Sequence, residues 1–234
     1  MYKYRAQLTK GDEIRYISHL DYAGVMERAI RRAKLPAAYS EGFNPHLKMS
    51  FASPLSLGVT SDAEYMDFEL TKPLCQPEVF DKLSQALPPG IKLIRVKPVK
   101  EPKPCEGKKH KALMAEVEQG IYDIKVPLIG AWEKAVQAVK QFNGVKEINY
   151  HRVTPKKTRD IEVKQYMLEP ITIGLVDTWV ELDMKIAITQ SGSIKPAEIL
   201  ELLVKEYDLP ADLGKARINR SQLLGQGKPL IDLV

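Results

Sequence analysis

The sequence predicts an α+β fold, a tandem of ferredoxin-like βαββαβ units with antiparallel sheets. Two observations carry that expectation. Stretches of period-two alternation and stretches with apolar residues three and four apart follow in the order strand, helix, strand, strand, helix, strand. The same order then returns, with weak identity, in the second half. A basic Pro/Lys segment between the halves has linker composition. The expected division is therefore a first domain over 1–100, a linker over 101–117 and a second domain over 118–234.

Residues 2–8 alternate and read as a strand, which 14–17 extend after the break Lys10-Gly11-Asp12. A helix follows. Ser18 stands before it and Asp21 three positions on, which approximates a capping box. Leu20, Ala23, Met26, Ile30 and Ala33 form one apolar stripe. At about 100° per residue, Arg28 and Arg32 fall opposite that stripe and Arg31 to one side. Pro36 closes the helix, because the residue before a proline leaves the α region. Residues 37–40 and 47–52 read as strand on either side of the loop Ser40-Glu41-Gly42-Phe43-Asn44-Pro45-His46. Residues 64–70 alternate as a half-buried strand, with Asp67 and Glu69 on its solvated face. A helix over 77–87 turns Val79, Phe80, Leu83 and Leu87 inward, and 91–99 is strand again.

The second half starts with a strand over 120–128. A helix over 131–142 places Trp132, Ala135, Val136 and Val139 inward and ends at Asn143-Gly144. Strands over 145–153 and 161–167 are joined by a basic turn, and 179–188 is a long strand, so this half carries an extra hairpin. A helix over 196–207, with Pro196 in its first turn, turns Ile199, Leu200, Leu203 and Val204 inward. A closing strand over 216–224 contains Arg217 and Arg220.

Composition bounds the function. The chain has 234 residues, 44% hydrophobic and 28% charged, with a formal charge of +5. That suits a globular protein with a real core and a mild bias toward anionic partners. Cys75 and Cys105 have no near partner, so neither a disulfide framework nor a zinc knuckle is indicated and a reducing compartment is expected. No run approaches the ~20 apolar residues of a membrane span, and the N-terminus lacks a signal-peptide core. A cytoplasmic location is expected.

Phosphate loops, dinucleotide fingerprints, cluster-binding cysteine patterns and nucleophile elbows are all missing from the sequence. The densest chemistry lies in residues 17–58. Arg28 and Arg32 are a like-charge i,i+4 pair, which mildly destabilises a helix. Phe43, Asn44 and His46, with Lys48 just beyond, place an aromatic ring, an amide, an imidazole and a cation on one turn. Those groups suit stacking and hydrogen bonding to a ligand. His19 at the helix start and His46 on the loop are the two candidate catalytic groups. Their spacing does not support a metal site. The candidate RNA- or ligand-binding set is Ser18, His19, Arg28, Arg31, Arg32, Phe43, Asn44, His46, Lys48, Arg217 and Arg220.

The segments KGDEIRYISHLD, ERAIRRAKLPAAYSEGFNPHLKMSFASPLSLGV and AEYMDFEL resemble the radical SAM-linked protein family. This bacterial family of unknown function occurs alone or fused to the C-terminal end of radical SAM proteins. The resemblance is dense over 10–70 and looser through the segment 156–168 and beyond. It implies a radical SAM partner that carries the iron–sulfur cluster and S-adenosylmethionine, with no cofactor on this chain. It also suggests RNA-related work, by fold-level analogy with CRISPR repeat-processing endoribonucleases. The leading expectation is an accessory RNA-binding or substrate-presenting protein. The alternatives are a metal-independent endoribonuclease and a protein–protein adaptor.

Overall fold

A computed structural model of the chain describes residues 1–100, 112–154 and 157–234. The chain divides into two compact units, Met1–Glu118 with Gln222–Val234, and Gln119–Ser221. Most of the expected linker, 101–111, lies outside the described residues. Its far end is folded: Leu113–Glu116 is a 3-10 turn that buries Leu113. The last residues, 222–234, which the sequence assigns to the second domain, group with the first.

In the first unit, β1 (Tyr2–Lys10) leads into α1 (His19–Arg32), β2 (Met49–Phe51) and β3 (Val59–Leu70). Then come α2 (Gln76–Ala86) and β4 (Leu93–Pro98). β1 sits between β3 and β4 and pairs antiparallel with both, while β2 pairs with β3. This is the ferredoxin-like arrangement. Tyr4, Ala6 and Leu8 alternate onto the side where Met26, Ala29 and Ile30 of α1 and Val79 and Leu83 of α2 complete the core. Tyr4 stacks on its cross-strand partner Phe68 with ring centroids 5.8 Å apart.

The residues between them point the other way, and Arg5 is among them. Arg5 is fully buried and stands opposite Asp67 in the β1–β3 register. Its Nε and Nη2 donate to the two Asp67 oxygens at 2.7 and 3.1 Å. Nη1 donates to Glu116 at 2.7 Å and to the Leu230 carbonyl at 2.9 Å, and Nη2 reaches Glu116 again at 3.2 Å. All five guanidinium N–H groups are thus used. Burial alone would lower the Arg5 pKa, but the hydrogen bonds to Asp67 and Glu116 raise it, so Arg5 is always charged. Asp67 is therefore not on a solvated face. It is 1% exposed and also holds Lys3 at 2.9 Å.

Other differences have local causes. Residues 14–17 are not strand. The buried Lys10 ammonium donates to the Arg15 and Ile17 carbonyls at 3.1 and 3.0 Å and curls the chain there, after a 3-10 turn at Asp12–Ile14. The capping box of α1 forms, with Asp21 N–H donating to Ser18 Oγ at 3.1 Å and Ser18 N–H to Asp21 Oδ2 at 3.3 Å. Leu20 leaves the expected stripe and is exposed; Tyr22 takes its place in the core. The strands expected over 37–40 and 47–52 shrink to β2 and two isolated bridges, Ala37 to Leu70 and Tyr39 to Leu47.

The second unit contains β5 (Gln119–Pro127), α3 (Trp132–Gly144), β6 (Asn149–Thr154), β7 (Lys157–Glu162), β8 (Thr172–Val176), β9 (Trp179–Ala187) and α4 (Pro196–Glu206). β10 (Arg217–Gly225) follows, and the division between the units falls within it. The order β10-β5-β9-β8 repeats the first unit's plan. The extra hairpin is β6–β7, which among the described residues forms a two-stranded sheet of its own. Residues 161–167 do not continue as strand, because the Glu162 carboxylate accepts from the N–H groups of Ile148, Lys164 and Gln165 and turns the chain. Val136 is exposed; Ala138 and Phe142 join Ala135 and Val139 in the buried face of α3. A short strand, β11 (Lys228–Pro229), pairs with the end of β10 in the first unit.

Two outcomes follow from these contacts. Asp67→Ala leaves a buried guanidinium short of its main partner and should cost about 3–5 kcal/mol. The double variant Arg5→Met/Asp67→Leu should be more stable than that single variant, as denaturant titration would read. At the α1 cap, hydrogen bonds from the Ser18 hydroxyl and then its backbone N–H hold the Asp21 carboxyl below the ordinary carboxylate range. Its contribution is present above the unfolded-state carboxylate value and disappears as pH falls through the depressed one. Ser18→Ala should therefore lower the denaturation midpoint at neutral pH, and by less in acid.

Candidate nucleic-acid interface

The local sequence builds a loop that stands clear of the first unit. Ser40 N–H donates to the His46 carbonyl at 2.8 Å, and His46 N–H donates to Ser40 Oγ at 3.0 Å. These two bonds close the loop at its base, just inside the Tyr39–Leu47 bridge. Gly42 has φ +124°, a left-handed conformation that side-chain-bearing residues rarely adopt. The chain beyond it projects outward. Phe43 is 107% exposed, and Asn44, Pro45 and His46 are exposed with it.

The exposed side of α1 supplies cations. The Arg31 guanidinium donates to Glu27 at 2.5 Å and lies 5.8 Å from the centre of the Tyr39 ring, next to the loop base. Arg28 is exposed along the helix, with Nη1 close to the space beside Gly24. Lys48, past the loop, lies 3.9 Å from Glu69 and keeps about a third of its side chain in solvent. Arg31 and the exposed loop residues Phe43, Asn44 and His46 therefore adjoin at the loop, whereas Lys48, between the core residues Leu47 and Met49, points to the other face of the sheet with Glu69.

Other expected residues serve the fold. The Ser18 hydroxyl is taken by the helix cap. Arg32 donates through Nε and Nη2 to the Ala86 carbonyl at 3.3 and 2.8 Å, which fastens α1 to the end of α2. His19 meets Phe51 edge-on at 5.3 Å, within an aromatic group that includes Tyr22. His46 is instead exposed at the loop base, so the two histidines have different surroundings. In the second unit, Arg217 is exposed over the Trp179 ring at 5.3 Å. Arg220 is 1% exposed and is a core residue rather than a surface cation. Ile218 and Arg220 alternate to the buried side of β10, which the sequence pattern alone leaves open.

The sequence reading also missed a group in the second unit. Tyr150, His151 and Arg152 on β6 face acids from β7 and α4. The register pairs His151 with Asp160. A strand start placed at Ile161 leaves Asp160 in the turn and hides the pair. Among the described residues no three His, Cys, Asp or Glu side chains come together as a metal-binding set. Nor is any described helix long and apolar enough to cross a membrane.

The fold is similar to that of known structures. One chain of a Cbf5–Nop10–Gar1 complex superposes with a TM-score of 0.50 at 11% identity, covering 94% of this chain and 50% of its own length. A chain of an H/ACA ribonucleoprotein bound to a substrate RNA containing 2'-deoxyuridine gives 0.49 at 12% identity, covering 95% of this chain and 49% of its own. The chain thus spans about half the length of these two. No protein of curated function matches it in sequence. Over residues 3–196 the sequence matches a family described as an uncharacterized protein conserved in bacteria, DUF2344, and the chain belongs to that family.

Proposed function

We propose that the protein binds single-stranded RNA through the loop 40–46 and the adjoining side of α1, as a noncatalytic accessory that presents RNA to a radical SAM enzyme. The observation that carries the reading is Phe43. A phenylalanine ring held wholly in water on a loop with a closed base has lost the burial that would normally stabilise it. Such a ring suits stacking by an unpaired base, which is how single strands are held. Arg28 and Arg31 supply charge for phosphate contacts, and Asn44 and His46 supply hydrogen-bonding groups for base edges.

The likeness to a chain of the Cbf5–Nop10–Gar1 complex is compatible with this reading at the level of fold. The radical SAM partner, with its iron–sulfur cluster and S-adenosylmethionine, rests on the resemblance of residues 10–70 described above. The ribonuclease alternative is less well supported, because His19 packs on Phe51 while His46 stands at the loop base. The loop would serve a protein partner equally in shape, and the test separates the two.

RNA binding by the purified chain should weaken as salt rises, since each neutralised phosphate releases counterions. Phe43→Ala should weaken binding of an unstructured oligonucleotide by about five- to a hundredfold, the range of one base–aromatic stack. Arg28→Ala should weaken binding less and flatten the salt dependence. Binding that ignores both substitutions, or salt-insensitive binding, would overturn the proposal. Capture of a radical SAM enzyme lost with Phe43→Ala, in a chain that binds no RNA, would instead establish a protein-docking loop.

A further inference from the structure

The second unit holds a cavity of about 480 Å³ between β6 and α4. Its volume falls in the range of small-molecule sites. Tyr150 and Tyr207 bring aromatic rings to it from opposite elements. The Tyr150 hydroxyl donates to Glu201 Oε2 at 3.0 Å, and Lys205 Nζ donates to Glu201 Oε1 at 2.5 Å. Both oxygens of Glu201 are therefore taken, and the Tyr150 ring is held by its far end with its faces unused by that bond. Burial, then Glu201, pushes the Tyr150 hydroxyl up to about 12, so it stays protonated near neutral pH. Tyr207 is steadied by an edge-on contact with Phe142 at 5.4 Å.

Alternation along β6 decides which of its side chains face the cavity. His151 Nδ1 pairs with Asp160 across the β6–β7 hairpin, on the exposed face of β6 away from Tyr150. Asn149 is exposed on that same outer face, so Tyr150 is the residue of this pair of neighbours turned toward α4. The charge balance is equally telling. Lys205 is neutralised by Glu201, and Glu206 adds a second acid to the lining. A phosphate would meet net negative charge here; a neutral ring would not.

We propose that this cavity takes a nucleobase, stacked against the tyrosines, with the sugar and phosphate kept outside. The inference deepens the RNA-binding reading and rests on it for the source of the base, but the pocket chemistry belongs to the second unit alone.

The test uses the full chain and free ribonucleosides. Adenosine and cytidine at millimolar concentration should give saturable amide shifts in NMR spectra, confined to residues 148–151 and 201–207. Tyr150→Ala should weaken binding by about tenfold or more. Asn149→Ala, at an exposed position on the other face of β6, should leave it unchanged. Adenosine monophosphate should bind no tighter than adenosine, and inorganic phosphate should not compete. Shifts that never saturate or fall elsewhere, or phosphate alone reproducing them, would overturn the proposal. Nucleoside binding in a Phe43→Ala chain that no longer holds RNA supports the pocket and leaves the loop to stand or fall separately. RNA binding without nucleoside binding sinks the pocket and spares the loop.

Discussion

The first unit depends on a buried guanidinium. A charge placed out of water is tolerable only when its partners are complete. Arg5 has a complete set from three places far apart in the chain: the facing strand, the turn at Leu113–Glu116 and the C-terminal carbonyl of Leu230. Each of those segments is placed by the need to reach it. Gly225 reflects the same crowding, for a Cβ there would stand 2.1 Å from the Glu116 carbonyl oxygen. The central strands of this unit are covered on both faces, and functional groups must sit on helix surfaces and loops.

That constraint explains where the candidate surface lies. α1 is fixed at its start by the Ser18–Asp21 box and the Lys10 ammonium, and at its end by Arg32 on the Ala86 carbonyl. The helix fixed in this way carries Arg28 and Arg31, and the loop beside it is exposed from Glu41 to His46. Rigid support below and a bare aromatic above is the usual division of labour between scaffold and binding loop.

Element order was legible because apolar periodicity reports which face meets a core. The capping box was legible for a similar reason, being local chemistry at a fixed spacing. What escaped detection was long-range. Asp67 looks solvated from its strand pattern, yet it is buried as the partner of Arg5 and Lys3. Arg217 and Arg220 look alike in sequence, yet one is exposed and the other enclosed. β8 was invisible because an edge strand containing Gly174, with Leu175 and Val176 partly exposed, shows no alternation. Around the loop, the aromatic and amide were recognisable by type. That Phe43 would be bare, while His19 would pack on Phe51, depends on burial that no short window encodes.

The discontinuity of the first unit sets an order of events during synthesis. The second unit is wholly made before Leu230 leaves the ribosome, whereas the N-terminal strand waits more than two hundred residues for its last partner. Ordinarily the N-terminal domain of a chain finishes first. Here the later-made unit is complete in sequence while the earlier one still lacks a segment. Until Leu230 emerges, Arg5 can reach only Asp67 and Glu116, and one of its Nη1 hydrogens lacks the carbonyl that accepts it in the finished unit.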